Sequence, residues 1–407
     1  MSETLKPETA DQVLDAVRWA ADGETPLDID GAGTKRGFGR PGEAAHRLDL
    51  SSLAGIESYE PAELVIIAAA ATPLAEIEAA LAEADQQLAF EPADLGPLFG
   101  AAAGAGTVGG AVACNLAGSR RLKAGAARDH LLGFHAASGR GELFKSGGRV
   151  MKNVTGFDLS KLVAGSFGTL AVVTELTLKV LPTPEKTRTV LVLGADDAAG
   201  ARAMTAALQS PHEVSAAAHL PAVVAARSGV SYIAGAGASV TAVRVEGPGP
   251  SAVERCSALR GLLDEFGPGE ELHGHNSAAL WREVGDVAYF VGGGEGPVWR
   301  LSVAPTDGPA VVADILAGVA GEAYYDWGGG LVWLSLVAAA DAHHERVRRA
   351  VDDKGGHATL IRAPDTVRAA VPVFHPQDRV VSALSARIKD GFDPRRVLNP
   401  GRMYAGI

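Results

Sequence analysis

The run from Val150 to Pro182, VMKNVTGFDLSKLVAGSFGTLAVVTELTLKVLP, constrains this chain more than any other stretch. The small residues Gly165, Ser166 and Gly168 lead directly into Ala171-Val172-Val173-Thr174. The backbone therefore passes close to a neighbour before entering a buried, β-branched strand. On this stretch alone two readings stay open: a wall against a flat or anionic cofactor, and a tight turn feeding a core strand.

Two further stretches have the same texture. Pro26-Leu27-Asp28-Ile29-Asp30 reads as a strand that breaks into Gly31-Ala32-Gly33-Thr34-Lys35-Arg36-Gly37, whose small residues leave successive backbone N–H groups free to face an anion. It lacks the Gly-Lys-Ser/Thr of a Walker loop, and a glycine-rich hairpin is the other reading. Between Gly104 and Gly118, GAGTVGGAVACNLAG is so dense in small residues that close backbone approach is their simplest common cause. Gly104, Gly106 and Gly109 have the GxGxxG spacing, but Leu98 to Ala103 is too poor a strand for a dinucleotide fingerprint. Ala164-Gly165-Ser166-Phe167-Gly168 approximates a nucleophile elbow, yet it leads into a strand pattern where an elbow leads into a helix.

The chain of 407 residues is long enough for two or three domains, and 47% hydrophobic with 21% charged residues describes a folded protein. Thr9 to Gln12 has a capping-box pattern, with Val13, Leu14 and Val17 on one helical face and Gly23 as the stop. Leu64 to Ala71 reads as a buried strand, and Thr72-Pro73 opens a helix with Leu74, Ile77 and Leu81 inward. After Leu181-Pro182-Thr183-Pro184 the pattern mixes strands (Arg188 to Leu193, Val240 to Val245, Leu331 to Leu336) with helices (Ala198 to Leu208, Pro250 to Phe266, His343 to Val351). This predicts an α+β domain with helices on one face of an antiparallel sheet. A net charge of -11 excludes nucleic acid as the main partner. Cys114 and Cys256, far apart, make neither a disulfide framework nor a metal site, and no apolar run is long enough to span a bilayer. A cytoplasmic location is expected, any membrane association coming through partners. The sequon Asn153-Val154-Thr155 reads as accidental.

The three glycine stretches, in this order and separation, resemble the FAD-binding fold of the vanillyl-alcohol oxidase family, also called the PCMH type. Asn399-Pro400-Gly401 resembles the segment that closes such flavoproteins. More narrowly, Gly106 to Gly118, Arg128-Asp129-His130, Met151 to Ser160 and Tyr325-Asp326-Trp327-Gly328-Gly329 are similar to the FAD-binding subunits of bacterial glycolate oxidases, along nearly the whole chain. The resemblance implies a PCMH-type FAD-binding domain of two α/β subdomains over 1–184, an α+β cap domain over 185–390, and a tail over 391–407 that returns to the FAD domain. It implies that Gly31, Ala32, Gly33, Thr34 and Lys35 hold the pyrophosphate. Thr107, Val108, Gly109, Gly110, Asn115 and Gly118 would pass along the diphosphate and flavin. Gly168, Val172 and Val173 would line the cofactor from the strand side, with Pro92 and Asn399 as further contacts. Cys114 reads as a small buried thiol beside the cofactor.

The departures bear on function. Phe167 stands where many relatives carry an acid, and Ala171 replaces a glycine. Hydroxyacid-oxidising relatives carry an H-x-G-D-G-N-x-H metal stretch and a later Glu-His-Gly, and the sequence has neither. His212 with His219, His273-Gly274-His275, His343-His344 and His375 make no metal constellation. No catalytic residue is assigned. The resemblance implies an FAD subunit of a glycolate oxidase complex with an electron-transfer or structural role. A paralogous flavoprotein subunit would oxidise glycolate to glyoxylate, and an iron–sulfur subunit would receive the electrons. The alternatives are a self-sufficient FAD-dependent 2-hydroxy-acid or alcohol oxidoreductase and a non-catalytic scaffold.

Overall fold

The computed structural model describes residues 3–42, 44–149 and 156–407, so the start of the opening run, including the sequon, lies outside the described residues. The chain divides into two compact units. One comprises Met1–Leu116, Gly125–Thr183 and Pro376–Ile407, the other Ala117–Ala124 and Pro184–His375.

The first unit opens on helix Ala10–Asp22, where the Thr9 side chain accepts from Gln12 N and Val13, Leu14, Val17 and Ala20 are buried. Strand Thr4–Leu5 before this helix and two strands after it form a parallel sheet, with His46–Asp49 between Thr4–Leu5 and Leu27–Asp30. A five-stranded sheet runs in the order Ile56–Glu60, Val65–Ala69, Ala171–Lys179, Leu131–Ser138, Glu142–Gly147, with antiparallel neighbours throughout. Val65–Ala69 is buried at every position, as its uninterrupted apolar run predicts. Helix Leu74–Ala82 buries the predicted face of Leu74, Ile77 and Leu81. The GxGxxG stretch has no strand before it. A single 3-10 turn, Pro97–Phe99, precedes a six-residue helix, Val108–Ala113.

The first unit reclaims the chain at 376, earlier than the 391 read from the sequence, and Lys389 supplies a physical reason. It lies on helix Arg379–Phe392, fully buried. Its ammonium donates to Asp393 Oδ2 and the Thr169 carbonyl, both at 2.7 Å, and to the Leu398 carbonyl at 2.9 Å, using all three of its hydrogens. Asp393 in turn accepts from the amides of Val397 and Leu398. A charged helix that looks solvent-facing in sequence is pinned to the turn before strand Ala171–Lys179.

The second unit is built on eight antiparallel strands: Gly269–His273, Lys186–Leu193, Val240–Gly247, Ala216–Leu220, Gly321–Asp326, Leu331–Leu336, Val298–Ser302 and His357–Arg362 in spatial order. Helices cover both faces of this sheet, correcting the one-face expectation. Thr241 meets His219, whose ring abuts Gly200 of helix Asp197–Gln209. Arg244, three residues on and so on the opposite face, lies over Trp281 of helix Gly274–Gly285. Among the described residues no helix is long and apolar enough to cross a membrane, and no three His, Cys, Asp or Glu side chains gather as metal ligands.

Candidate cofactor site

Strand Leu27–Asp30 delivers the chain into the Gly31–Lys35 loop at the mouth of two adjoining cavities. Ile29, Asp30, Gly31, Thr107, Gly110, Ala113, Phe167 and Asn399 line both. The larger cavity is walled by Ala70, Ala71, Val112, Val172, Val173 and Leu176, a set of small and aliphatic side chains suited to a flat, apolar ring system. The smaller is bounded by Ala32, Gly33, Thr34, Lys35, Cys114 and Arg402.

The smaller cavity has the chemistry of an anion cradle. Among the described residues, the amides of Ala32, Gly33, Thr34 and Lys35 donate to no group of the chain. The loop carbonyls are held from behind, because Arg402 donates to the carbonyls of Lys35 and Arg36 at 3.0 Å and of Arg40 at 3.1 Å. The Lys35 ammonium lies near Gly106 and Gly110, where an added Cβ would sit 3.3 and 3.4 Å from Nζ. Burial lowers the Lys35 pKa, against the opposing pull of Cys114 and Asp94. Asp30 does not cancel this positive site, since its carboxylate is engaged by Arg36 and by Arg47.

Each wall has a local cause. Thr107 accepts from Gly110 N at 3.2 Å and starts helix Val108–Ala113. Gly109 runs against the backbone of strand Val65–Ala69, donating to the Ala70 carbonyl at 2.8 Å, and a Cβ there would lie 2.6 Å from the same oxygen. The turn at 165–168 docks on the far end of that helix through Gly165 N to Val112 O and Phe167 N to Ala113 O. Asn399 joins this turn to the first strand. Its Oδ1 accepts from Ile29 N at 2.7 Å and its Nδ2 donates to Phe167 O at 2.8 Å. Gly168 has φ +70, and a Cβ there would meet Asn399 Nδ2 at 2.8 Å, so both the dihedral and the space call for glycine. Cys114 faces this cavity as a thiol whose pKa burial pushes up to about 11, despite the opposing effect of Lys35 and Arg402.

Of the residues read from sequence, Gly31, Ala32, Gly33, Thr34, Lys35, Thr107, Gly109, Gly110, Gly168, Val172, Val173 and Asn399 line one cavity or both. Val108 is instead a core residue behind the wall. Asn115 turns away to accept from Arg128 N at 3.0 Å. Pro92 is buried but lines neither cavity. Gly118 falls in the second unit, where its carbonyl accepts from Trp327 Nε1. Sequence reasoning missed Ile29, Asp30, Ala70, Ala71 and Arg402. The first four end strands that had been read, and side chains at strand ends beside glycine loops are a usable signal. Arg402 lies three residues past Asn399 in the same turn.

Residues 2–147 match the FAD binding domain family. The chain is 36% identical over 395 residues to glycolate oxidase subunit GlcE of Escherichia coli (strain K12), covering 97% of each chain. It is also 36% identical over 118 residues to glycolate oxidase subunit GlcD of Bacillus subtilis (strain 168), covering 29% of this chain and 24% of that one. Among solved structures, p-cresol methylhydroxylase with substrate bound superposes with a TM-score of 0.72 at 16% identity, over 98% of this chain and 88% of that one. The 4-ethylphenol oxidase of Gulosibacter chungangensis gives 0.74 at 14%, over 99% and 89%. At those identities the structures speak for the fold alone, and the fold is the PCMH type. With its FAD-binding domain and its end-to-end likeness to GlcE, the chain belongs to the family of FAD-dependent glycolate oxidase subunits.

Proposed function

We propose that this chain is the FAD-binding subunit of a glycolate oxidase complex and carries electrons within it. In this reading a paralogous flavoprotein subunit oxidises glycolate to glyoxylate and an iron–sulfur subunit takes the electrons away. The likeness to GlcE along 97% of both chains carries the reading, and the amide-lined loop beside an apolar cavity supports it.

The residues fit FAD. The free amides of Ala32, Gly33, Thr34 and Lys35, with the Lys35 ammonium, would hold the pyrophosphate, since several N–H donors and one cation converge where two negative charges would lie. Burial makes Lys35 a costly unpaired cation, and an anion beside it would relieve that cost. Gly109, Gly110, Val172 and Val173 would flank the ring system, the glycines by bringing backbone close and the valines by excluding water. Asn399 would hold the cavity closed by bridging Ile29 and Phe167. Cys114, kept protonated by burial, would be a bystander. When bound, FAD supplies a carrier that accepts an electron pair and releases electrons singly. The sequence brings no recognisable base or metal stretch for taking the hydroxyl proton of a 2-hydroxy acid, and that step is assigned to the partner.

Co-purification with the natural partners tests this. The chain alone should carry bound flavin with its absorbance bands, yet oxidise glycolate negligibly with an artificial acceptor, and turnover should appear when the partners are restored. Robust turnover by the chain alone would establish a self-sufficient oxidoreductase. A colourless preparation unable to take up FAD would leave only a scaffold.

A further inference from the structure

The chain crosses from the first unit to the second after Leu116 and crosses back after Ala124. Ala117–Ala124 is therefore a short strap whose two ends are continuous with one unit and whose body belongs to the other. The body is held by side chains distant in sequence. Arg120 grips the Glu246 carboxylate with both prongs, Nε to Oε2 at 3.0 Å and Nη2 to Oε1 at 2.5 Å, and both side chains are largely withdrawn from water. Ser119, fully buried, donates to Asp326 Oδ2 at 2.8 Å, and the Gly118 carbonyl accepts from Trp327 Nε1 at 3.1 Å. Glu246 lies near the end of strand Val240–Gly247 and Asp326 ends strand Gly321–Asp326, so the strap is fastened to two strands of the large sheet.

The ends of the strap are fixed just as firmly in the first unit. Cys114 N donates to Gly110 O, Asn115 N to Val112 O and Leu116 N to Ala111 O, so the chain leaves as a bonded continuation of helix Val108–Ala113. Where it returns, Arg128 N donates to Asn115 Oδ1 at 3.0 Å and ties the two ends together. That helix brings Gly109, Gly110, Val112 and Ala113 to the larger cavity, and Cys114 at its end lines the smaller one. No slack loop separates the strap from the cavity wall. A bidentate guanidinium–carboxylate pair is directional, and removing one partner leaves the other charge uncompensated, so the Arg120 anchor resists displacement in a way that an exposed turn does not.

We propose that Arg120 is a positioning residue for the cofactor cavity: by pairing with Glu246 it holds the strap, and through the strap it holds helix Val108–Ala113 where Gly109 and Gly110 flank the bound ring system. The identity of that ring system rests on the flavin reading, while the coupling rests on the fold alone. A change in the second unit that shifts Glu246 then alters the flavin's surroundings without touching the flavin.

Four forms of the full chain test this: the parent, Arg120→Met, Arg120→Lys and Arg348→Met. The last is a control lesion, because it removes a buried guanidinium of the second unit that is bonded to the Ala358 and Pro372 carbonyls, at the far edge of the sheet. In flavin-free protein, amide hydrogen exchange over 108–116 should quicken about threefold to thirtyfold in R120M, while R348M keeps the parent's rate there. Titration with FAD, followed by flavin fluorescence, should show binding weakened over the same range in R120M, with the visible bands of the bound flavin shifted, and parental binding in R348M. R120K keeps the charge but loses the fork, and should fall between. Equal exchange over 108–116 in parent and R120M overturns the proposal. So does equal acceleration in R348M, because the effect would then be a general loosening of the second unit. If R120M does not fold, R120K decides, and parental exchange with parental binding in that variant overturns the proposal. A parent that takes up no FAD removes the flavin reading, and the exchange comparison still decides the coupling.

Discussion

Lys389 of the first unit and Arg300 of the second are both cations withdrawn from water, and their surroundings differ completely. Lys389 spends every hydrogen on an acceptor of its own unit, with one carboxylate and two carbonyls within 2.9 Å. Among the described residues Arg300 has the Trp327 indole, Arg121 and the charge of Asp326 for neighbours, and its side chain makes no hydrogen bond or ion pair. A satisfied buried cation belongs to the architecture, while one left without an acceptor is where something from outside the chain is to be sought. The same contrast separates the Gly31–Lys35 loop, where the amides of residues 32–35 donate to no described group, from the 165–168 turn, where the amides of Gly165 and Phe167 are bonded to the neighbouring helix.

The contrast can be tested in descending order of effect. Lys389→Met leaves Asp393 buried without its cation and should cost about 3–5 kcal/mol in urea denaturation. The double change Lys389→Met with Asp393→Leu should recover part of that, and a double mutant no better than the single one would mean that position, not charge pairing, is what matters. Glu246 comes next. Burial would raise its pKa, but Arg244 and Arg120 hold it down to about 2 from 4.5. A carboxylate depressed in the folded state contributes stability that is present above pH 4.5 and is lost as pH falls toward 2. That depression is worth about 3 kcal/mol at neutral pH. Melting curves of Glu246→Gln should therefore be flatter than the parent's between those pH values, and parallel curves would remove the assignment. Gly109→Ala drives a methyl against the Ala70 carbonyl and should cost about 1–3 kcal/mol together with much of the bound flavin. Arg300→Met should change stability least, by about 0.5–1 kcal/mol, because among the described residues its side chain gives up only the cation–π contact with Trp327.

Much of the first unit could be read from sequence because glycines mark places where backbone meets backbone. The reading named Gly109 for close approach, and the approach proves to be to the chain's own strand at Ala70 as well as to the cavity. Asn399 was legible because an amide before Pro400 in a turn-rich tail is a contact residue. Asn115 and Val108, in the same stretch, came with the family resemblance, which carries no side-chain direction; a helix of six residues sends successive side chains to different sides, and Asn115 lies just past its end. Lys389 was not legible, since Arg387-Ile388-Lys389-Asp390 has the composition of a solvated helix and only the fold reveals that Thr169 and Leu398 converge on its end. Arg300 was hidden in a strand for the same reason: period two places it opposite Trp299 and Leu301, and nothing in a sequence shows that no acceptor meets it. The two-faced cover of the large sheet also escaped, because short strands rich in alanine and valine look alike whether one face or both are covered.

The Asn399 clamp joins Ile29 and Phe167 across separations of 370 and 232 residues. A ribosome releases the Gly31–Lys35 loop and the glycine turn long before Asn399 has been made, and at elongation rates of about 5–20 residues per second the interval is tens of seconds. During that interval the cavity has its walls without its fastener. The Ile29–Asn399–Phe167 bridge thus closes only after the second unit has been synthesised, and a translation pause between the two would lengthen the time the first strand and the glycine turn spend unjoined.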